Sequence, residues 1–201
     1  MNVVLGKTYV KIVNVTTMLI TKKEIQSKMT AITIYQPWAS LIIQDKKHYE
    51  TRSWITHYRG NLAIHAGAKK PSEILKIENI NILRRIGCAL CLFEETEVNF
   101  ASRDRLLNAL NSLPRSAILG YVNLTECCKI WDGQRAGYNL GTVCIDQPNQ
   151  YWSPNWLTTS DEYLFGDWNV GRYAWKVDNT IKFSDTIPAK GKQRLWKWED
   201  S

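Results

Sequence analysis

From Met29 onward the chain is dominated by short strand-like runs, and this pattern narrows the folds open to it more than any other feature. Six stretches carry the β-branched or alternating signature of a strand: Thr30–Tyr35, Lys47–Arg52, Asn61–Ala66, Ala117–Thr125, Arg172–Val177 and Lys182–Ile187. The clearest is Ala117–Thr125. Its spacing predicts Ile118, Val122 and Leu124 on one face with Gly120 between them, Tyr121 and Asn123 on the other face needing polar partners, and Glu126 beyond as a free carboxylate. Asp178-Asn179 reads as a turn between the last two runs. Three stretches have helical spacing: Pro37–Gln44, with Trp38, Leu41 and Ile42 at i, i+3 and i+4; Pro71–Arg85; and Ser102–Ser112, capped by Ser102 and stopped at Leu113-Pro114. Helices inserted between early and middle strands predict an α+β fold, a small barrel or half-closed sheet with helical flanks. Residues 128–168 carry little regular pattern and read as a functional loop or covering flap.

The 201 residues suffice for one domain, which at this size buries roughly 70% of its unfolded surface and needs no disulfides. Residues 1–28 differ from the rest and are expected to be a leader or a loosely attached arm, leaving 29–201 as the domain. No apolar run approaches the roughly 20 residues that span a bilayer, and no secretory signal is evident, so no membrane partner is expected. The cysteines, Cys88, Cys91, Cys127, Cys128 and Cys144, are odd in number and read as free thiols in a reducing, cytoplasmic setting. Cys88 and Cys91 have zinc-ligand spacing that Cys127-Cys128 could complete. The apolar run Ile86–Phe93 around the first pair favours plain core cysteines and no metal.

The formal charge of +7 is unevenly placed. The first 28 residues hold five lysines against one glutamate, residues 29–70 hold six basic against two acidic residues, and a second basic run (Lys190, Lys192, Arg194, Lys197) closes the chain. Nine tryptophans are the compositional outlier, and several sit beside these cations, an arrangement that stacks bases while holding phosphates. The densest polar stretch runs from Lys46 to Gly60. As a strand it places His48, Glu50 and Arg52 on one face, where Glu50 and Arg52 can pair. Lys47 joins that face only if it precedes the regular strand or a bulge shifts the register. His65, within an apolar run, reads as a hydrogen-bonded core histidine or a site residue. There is no P-loop, GxGxxG, HExxH or GxSxG, so no nucleotide cofactor is expected.

Several segments in order resemble the ASCH domain: Tyr35-Gln-Pro-Trp-Ala-Ser-Leu-Ile42, Lys47-x-x-Glu50-x-Arg52-Ser-Trp54, Tyr58-Arg-Gly-x-Leu-Ala-Ile-His65 with Ala68-Lys-Lys-Pro-Ser72, Leu119–Cys127, Gly171-Arg-Tyr-Ala-Trp175 and Ile187-Pro-x-Lys-Gly-Lys-Gln193 with Leu195-Trp196. The spacing is close to that in the transcription coactivator for which the family is named, and the resemblance covers Met29–Trp198. It implies a PUA-like fold, a small, partly closed β-barrel with flanking helices, and a cleft lined by the Gln-Pro-Trp segment and the Lys-x-x-Glu-x-Arg strand. It also implies binding of RNA or other nucleic acid. Some smaller members are amidohydrolases on acetylated cytidine, and some look like nucleases. In those amidohydrolases a lysine, a threonine and a glutamate act together. Here Lys47 matches the lysine, Glu50 stands in the threonine position and Asn123 falls about where the glutamate would be. Asp45 replaces a glycine common in the family.

Three functions are compatible with these residues. A nucleic-acid-binding module would meet phosphates of RNA or another single strand with Lys47, Arg52, Arg59, Lys69 and Lys70, and stack bases on Trp38, Trp54 or Tyr58. The matched segments add Gln36, His65, Asn123, Arg172 and Lys192 to that expected site, and the scarcity of other cations predicts on the order of 3–5 phosphate contacts. A hydrolase of a modified nucleoside or nucleic acid would use Lys47 and Glu50, with His48 sharing the proton traffic. A protein-interaction module in a transcription or translation assembly would use the tryptophan-rich stretch 151–168. The oligomeric state is not readable from the sequence.

Overall fold

The structure, a computed structural model, describes residues 29–75, 79–132, 143–147, 150–152 and 161–199. The arm expected over residues 1–28 lies outside them, as do residues 153–160 of the tryptophan-rich stretch. The strands, in chain order, are β1 (Met29–Ile34), β2 (Tyr49–Arg52), β3 (Gly60–Ala66), β4 (Ala117–Asp132), β5 (Val143–Gln147), β6 (Gln150–Trp152), β7 (Tyr173–Pro188) and β8 (Leu195–Trp198). The helices are α1 (Trp38–Ile43), α2 (Pro71–Ile74), α3 (Ile80–Ala89), α4 (Glu95–Val98), α5 (Arg103–Asn111) and α6 (Asp161–Leu164).

Six strands form a curled mixed sheet in the order β2-β7-β4-β3-β1-β8, with β5 added on β4 and β6 on β5. Only β1 and β3 run parallel, and such a pair needs a crossover, which α1 and β2 supply. The curl makes a half-barrel, so the α+β, PUA-like expectation holds. Its two end strands are β2 and β8. β8 accompanies β1 only as far as Ile32, opposite Leu195. At the next residue Arg52 Nη2 on β2 donates to Thr33 O at 3.0 Å, linking the open side of the half-barrel.

Helix α1 is apolar around most of its circumference because it packs on two layers. Ala39, Ile42 and Ile43 enter the barrel core with Ile32, Leu62, Val122 and Trp175, whereas Leu41 joins a helical core with Leu83, Ile86, Leu106 and Phe165. The Ser102 cap is present, accepting from Arg105 N at 3.3 Å. The single helix expected over Pro71–Arg85 is instead two, α2 and α3, the second capped by Asn79, whose side chain accepts from Asn81 N. Among the described residues no helix is long and apolar enough to cross a membrane.

The longest element is the antiparallel pair β4–β7, sixteen residues on each strand. Three sequence readings are corrected here. Residues 173–188 form one strand rather than two; Asn179 takes up the expected bend at φ 50° inside the ladder. Ile118 does not share a face with Val122 and Leu124. The register shifts between Ile118 and Gly120 and again before Asn123, so Leu119 turns into the barrel core and Ile118 turns out to Ala31, Ala63, Trp196 and Trp198. Nor is Glu126 free, since Lys176 Nζ lies 3.1 Å from it. Asn123 finds a polar partner in Asp178 at 3.3 Å, whereas Tyr121 packs edge-on to the Phe183 ring.

Gly120 permits the first shift. Its φ is 157°, and a Cβ there would lie 2.1 Å from Ile181 O, a backbone atom that cannot give way without moving β7. Gly120→Ala is therefore expected to destabilise the protein by at least about 2 kcal/mol, as overpacking against an unyielding neighbour does. Urea denaturation would check this, and an unchanged midpoint would contradict it.

Candidate functional site

The chain leaves α1 in a tight turn. The amides of Lys46 and Lys47 both donate to Leu41 O, at 2.8 and 3.2 Å, and Asp45 sits at φ 58°. Left-handed backbone favours glycine and tolerates aspartate, so Asp45 can hold this turn. The turn drives Lys47 inward ahead of β2, where it is 2% exposed. Its ammonium donates to Tyr49 O and lies 3.8 Å from Glu162 Oε1. Burial lowers the Lys47 pKa, while the Glu50 and Glu162 charges oppose that shift and Arg52 adds to it.

Glu162 is the partner that sequence reasoning missed. It lies on the short helix α6, within the stretch that carried little pattern. Its buried carboxylate accepts from His48 N at 2.7 Å and Tyr49 N at 3.0 Å, and the His48 ring approaches at 3.3 Å. The same segment continues along β2. Asp167 N donates to Thr51 Oγ1, Arg172 Nη2 donates to Thr51 O, and Trp168 packs edge-on to Tyr49. An edge strand with unmet backbone groups is a template for unwanted pairing, and the Glu162 and Arg172 side chains occupy it. His48 therefore serves this edge and does not share the Glu50 face. Glu50 pairs with Arg52 at 2.9 Å on the face that carries Trp175.

On the outer face of the β1–β3 sheet lies a cavity of about 700 Å³. His65 and Thr33 form its floor, and two loops wall it: Gly67–Lys69 with Tyr35, and Pro188–Gln193. Lysines 69, 190 and 192 stand on these loops, all exposed, and among the described residues no carboxylate lines the cavity. Two glycines allow the walls to close in. A Cβ on Gly67 would strike the Tyr35 ring at 2.6 Å, and one on Gly191 would strike the His65 ring at 2.4 Å. Thr33 ties the floor to the second loop: its hydroxyl donates to Lys192 O at 2.9 Å and receives Trp196 Nε1 at 3.3 Å. His65 Nε2 meets Ala189 O at 3.0 Å, so its proton sits there, and Nδ1 has no partner among the described residues. Burial lowers the His65 pKa, against the opposing effect of the Ala189 carbonyl.

The expected site residues thus separate. His65, Lys69 and Lys192 line the cavity. Arg52 reaches it only through Thr33 O. Trp54 stands edge-on to Trp175, centroids 4.5 Å apart, with the Arg194 guanidinium 5.9 Å over its ring. Gln36 is fully buried after a cis Gln36-Pro37 bond, and both ends of its amide are used, on Ser40 N and Pro114 O. Trp38 bridges the two cores, and Tyr58 packs at the barrel core with its hydroxyl on Asn61 O. Arg59 folds back on the carbonyls of Thr56 and Tyr58, Arg172 is held at the β2 edge, and Lys70 is exposed. The residues not foreseen are Tyr35, Lys190, Arg194 and Glu162. The first three stood in the matched segments or the basic C-terminal run, whereas Glu162 had no local signal. Among the described residues no cluster of metal-ligating side chains occurs; Cys91 is exposed rather than core, and Cys88 and Cys127 are half-buried.

Residues 32–158 match the ASCH domain family. Activating signal cointegrator 1 of Homo sapiens is 34% identical over 96 residues, and that of Mus musculus is 32% identical over 96 residues. In both cases the match takes in 48% of this chain and 14% of the relative, so the similarity concerns a small part of those longer proteins.

Two consequences can be measured. Removing one partner of a buried ion pair typically costs 3–5 kcal/mol, so Glu162→Ala is expected to lose about 3 kcal/mol in urea, and the double variant with Lys47→Met to recover part of it. The second concerns His48, whose pKa the Glu162 hydrogen bond raises above 6.5. A raised folded-state pKa stabilises below the unfolded value and loses that contribution as pH rises through the folded one. Stability attributable to His48 is therefore expected to decline upward from about pH 6.5, and His48→Gln to flatten that decline in thermal melts across pH 5–9.

Proposed function

The chain belongs to the ASCH-domain family, and on that premise we propose that it binds single-stranded nucleic acid, RNA foremost, at the lysine-rimmed cavity on the outer sheet face. The observation that carries this reading is the convergence of Lys69, Lys190 and Lys192, from loops more than a hundred residues apart, around one concave site without a lining carboxylate among the described residues. Such a site attracts anions. Tyr35, 42% exposed, offers a ring at the rim, and a ring beside phosphate-holding cations suits an unpaired base better than a duplex. A hydrolase reading would rest on Lys47. Its ammonium is already engaged by Tyr49 O and Glu162, which favours a structural use of that charge.

The test is fluorescence anisotropy with the full chain and labelled single-stranded RNA, single-stranded DNA and duplex at two salt concentrations. Single strands are expected to bind saturably, with a log–log salt slope of about −2 for three lysine contacts, and Lys69→Ala with Lys190→Ala to weaken binding about tenfold. Binding of none of the three ligands would overturn the proposal.

A further inference from the structure

The loop that walls the cavity does not end there. Lys190–Gln193 line the cavity, and the next residue, Arg194, turns at φ 58° to place its guanidinium over the Trp54 ring. Arg194 is exposed, and among the described residues no carboxylate pairs with it. Trp54 is held from behind by its edge-on contact with Trp175, which is itself fully buried. Thr33 stands between the two places. Its hydroxyl is bonded to the loop at Lys192 O, and its carbonyl receives Arg52, which lies two residues before Trp54.

Resting on the nucleic-acid reading above, we propose that this is a two-part site: the lysine-rimmed cavity takes one phosphorylated nucleotide, and the Trp54–Arg194 pair takes the base of the nucleotide next to it. The chemistry differs between the parts. The cavity gathers ammonium groups, which act as compact charges. The Trp54–Arg194 pair presents planar groups, and a guanidinium and an indole both stack on a base while the guanidinium still reaches a phosphate. The spacing also fits. Lys192 and Arg194 are two residues apart, at most about 7 Å of extended chain, and the left-handed turn at Arg194 shortens that further. The two parts are therefore neighbours on the scale of a single nucleotide step. Because Arg52, at the end of β2 and two residues before Trp54, is bonded to Thr33, and Thr33 to the loop bearing Lys190 and Lys192, their separation is set before any ligand arrives. Preorganisation of this kind lowers the cost of binding.

The proposal predicts a length threshold. With the full chain, adenosine 5′-monophosphate, the 5′-phosphorylated adenine dinucleotide and a 5′-phosphorylated octamer are compared by calorimetry at one salt concentration. The dinucleotide is expected to bind about tenfold more tightly than the monophosphate, as one added stacked base provides. Arg194→Ala is expected to reduce the ratio of the two affinities towards one. Trp54→Leu is a second variant with the same expected effect, checked for an unchanged thermal melt. If the octamer binds but monophosphate and dinucleotide are equal, or if Arg194→Ala leaves the ratio intact, the two-part site is wrong and the nucleic-acid reading stands. If no length binds, the reading fails and the two-part site with it.

Discussion

The β4–β7 ladder is the constraint on which the other elements depend. One edge of β4 carries β3 and then β5, β7 forms its other neighbour, and β2 hangs from the far side of β7. A regular sixteen-residue pair would be a long twisted ribbon. Three shifts in register break it, and each changes which face a side chain meets. The shift at Gly120 turns Ile118 outward to join Trp196 and Trp198 beneath β8, and that outer layer adjoins the cavity floor at His65. Past Gly120, Val122 and Leu124 point inward and complete the barrel core against α1. One glycine, able to accept an approach that any Cβ would block, thus partitions β4 between two cores.

Lys47 shows how a residue can keep its place in a family pattern while its surroundings decide its use. It sits where the resemblance places a catalytic lysine, yet its ammonium is buried against Tyr49 O and Glu162. A buried pair of charges gains little over a well-packed apolar pair, because desolvation offsets most of the attraction. The carboxylate does more than neutralise the lysine, since it also satisfies two backbone amides at the start of β2. Glu162 and Arg172 together occupy an edge that would otherwise present unmet donors and acceptors. The segment holding α6 therefore works as a fastening for β2 and, through Arg52 on that strand, for the link to Thr33.

The cavity depends on short side chains as much as on charged ones. Gly67 lets the Tyr35 ring lie close, and Gly191 lets the second loop lie against His65. With both loops drawn in, lysines that repel one another share a rim, an arrangement that is eased when an anion occupies the space between them. The buried His65 contributes shape and one hydrogen bond to the loop.

Much of this architecture was legible in the order of residues. The strand runs, the Ser102 cap, the helix opening at Pro37 and the matched segments from Tyr35 to Trp196 determined the α+β half-barrel and its family, because local periodicity and spacing survive in the primary structure. The pairing of Glu50 with Arg52 was also readable, being two positions apart on one strand face. Three things were decided only in three dimensions. The face of Ile118 was set by bulges that depend on β7, and the partner of Lys47 by a carboxylate more than a hundred residues away. The burial of Gln36, which makes it a bracing amide between Ser40 and Pro114, was set by packing around α1. Sequence spacing reports which side chains share an element. Which groups meet across elements depends on register and burial, and these exist only once the sheet has curled and brought its distant loops to one face.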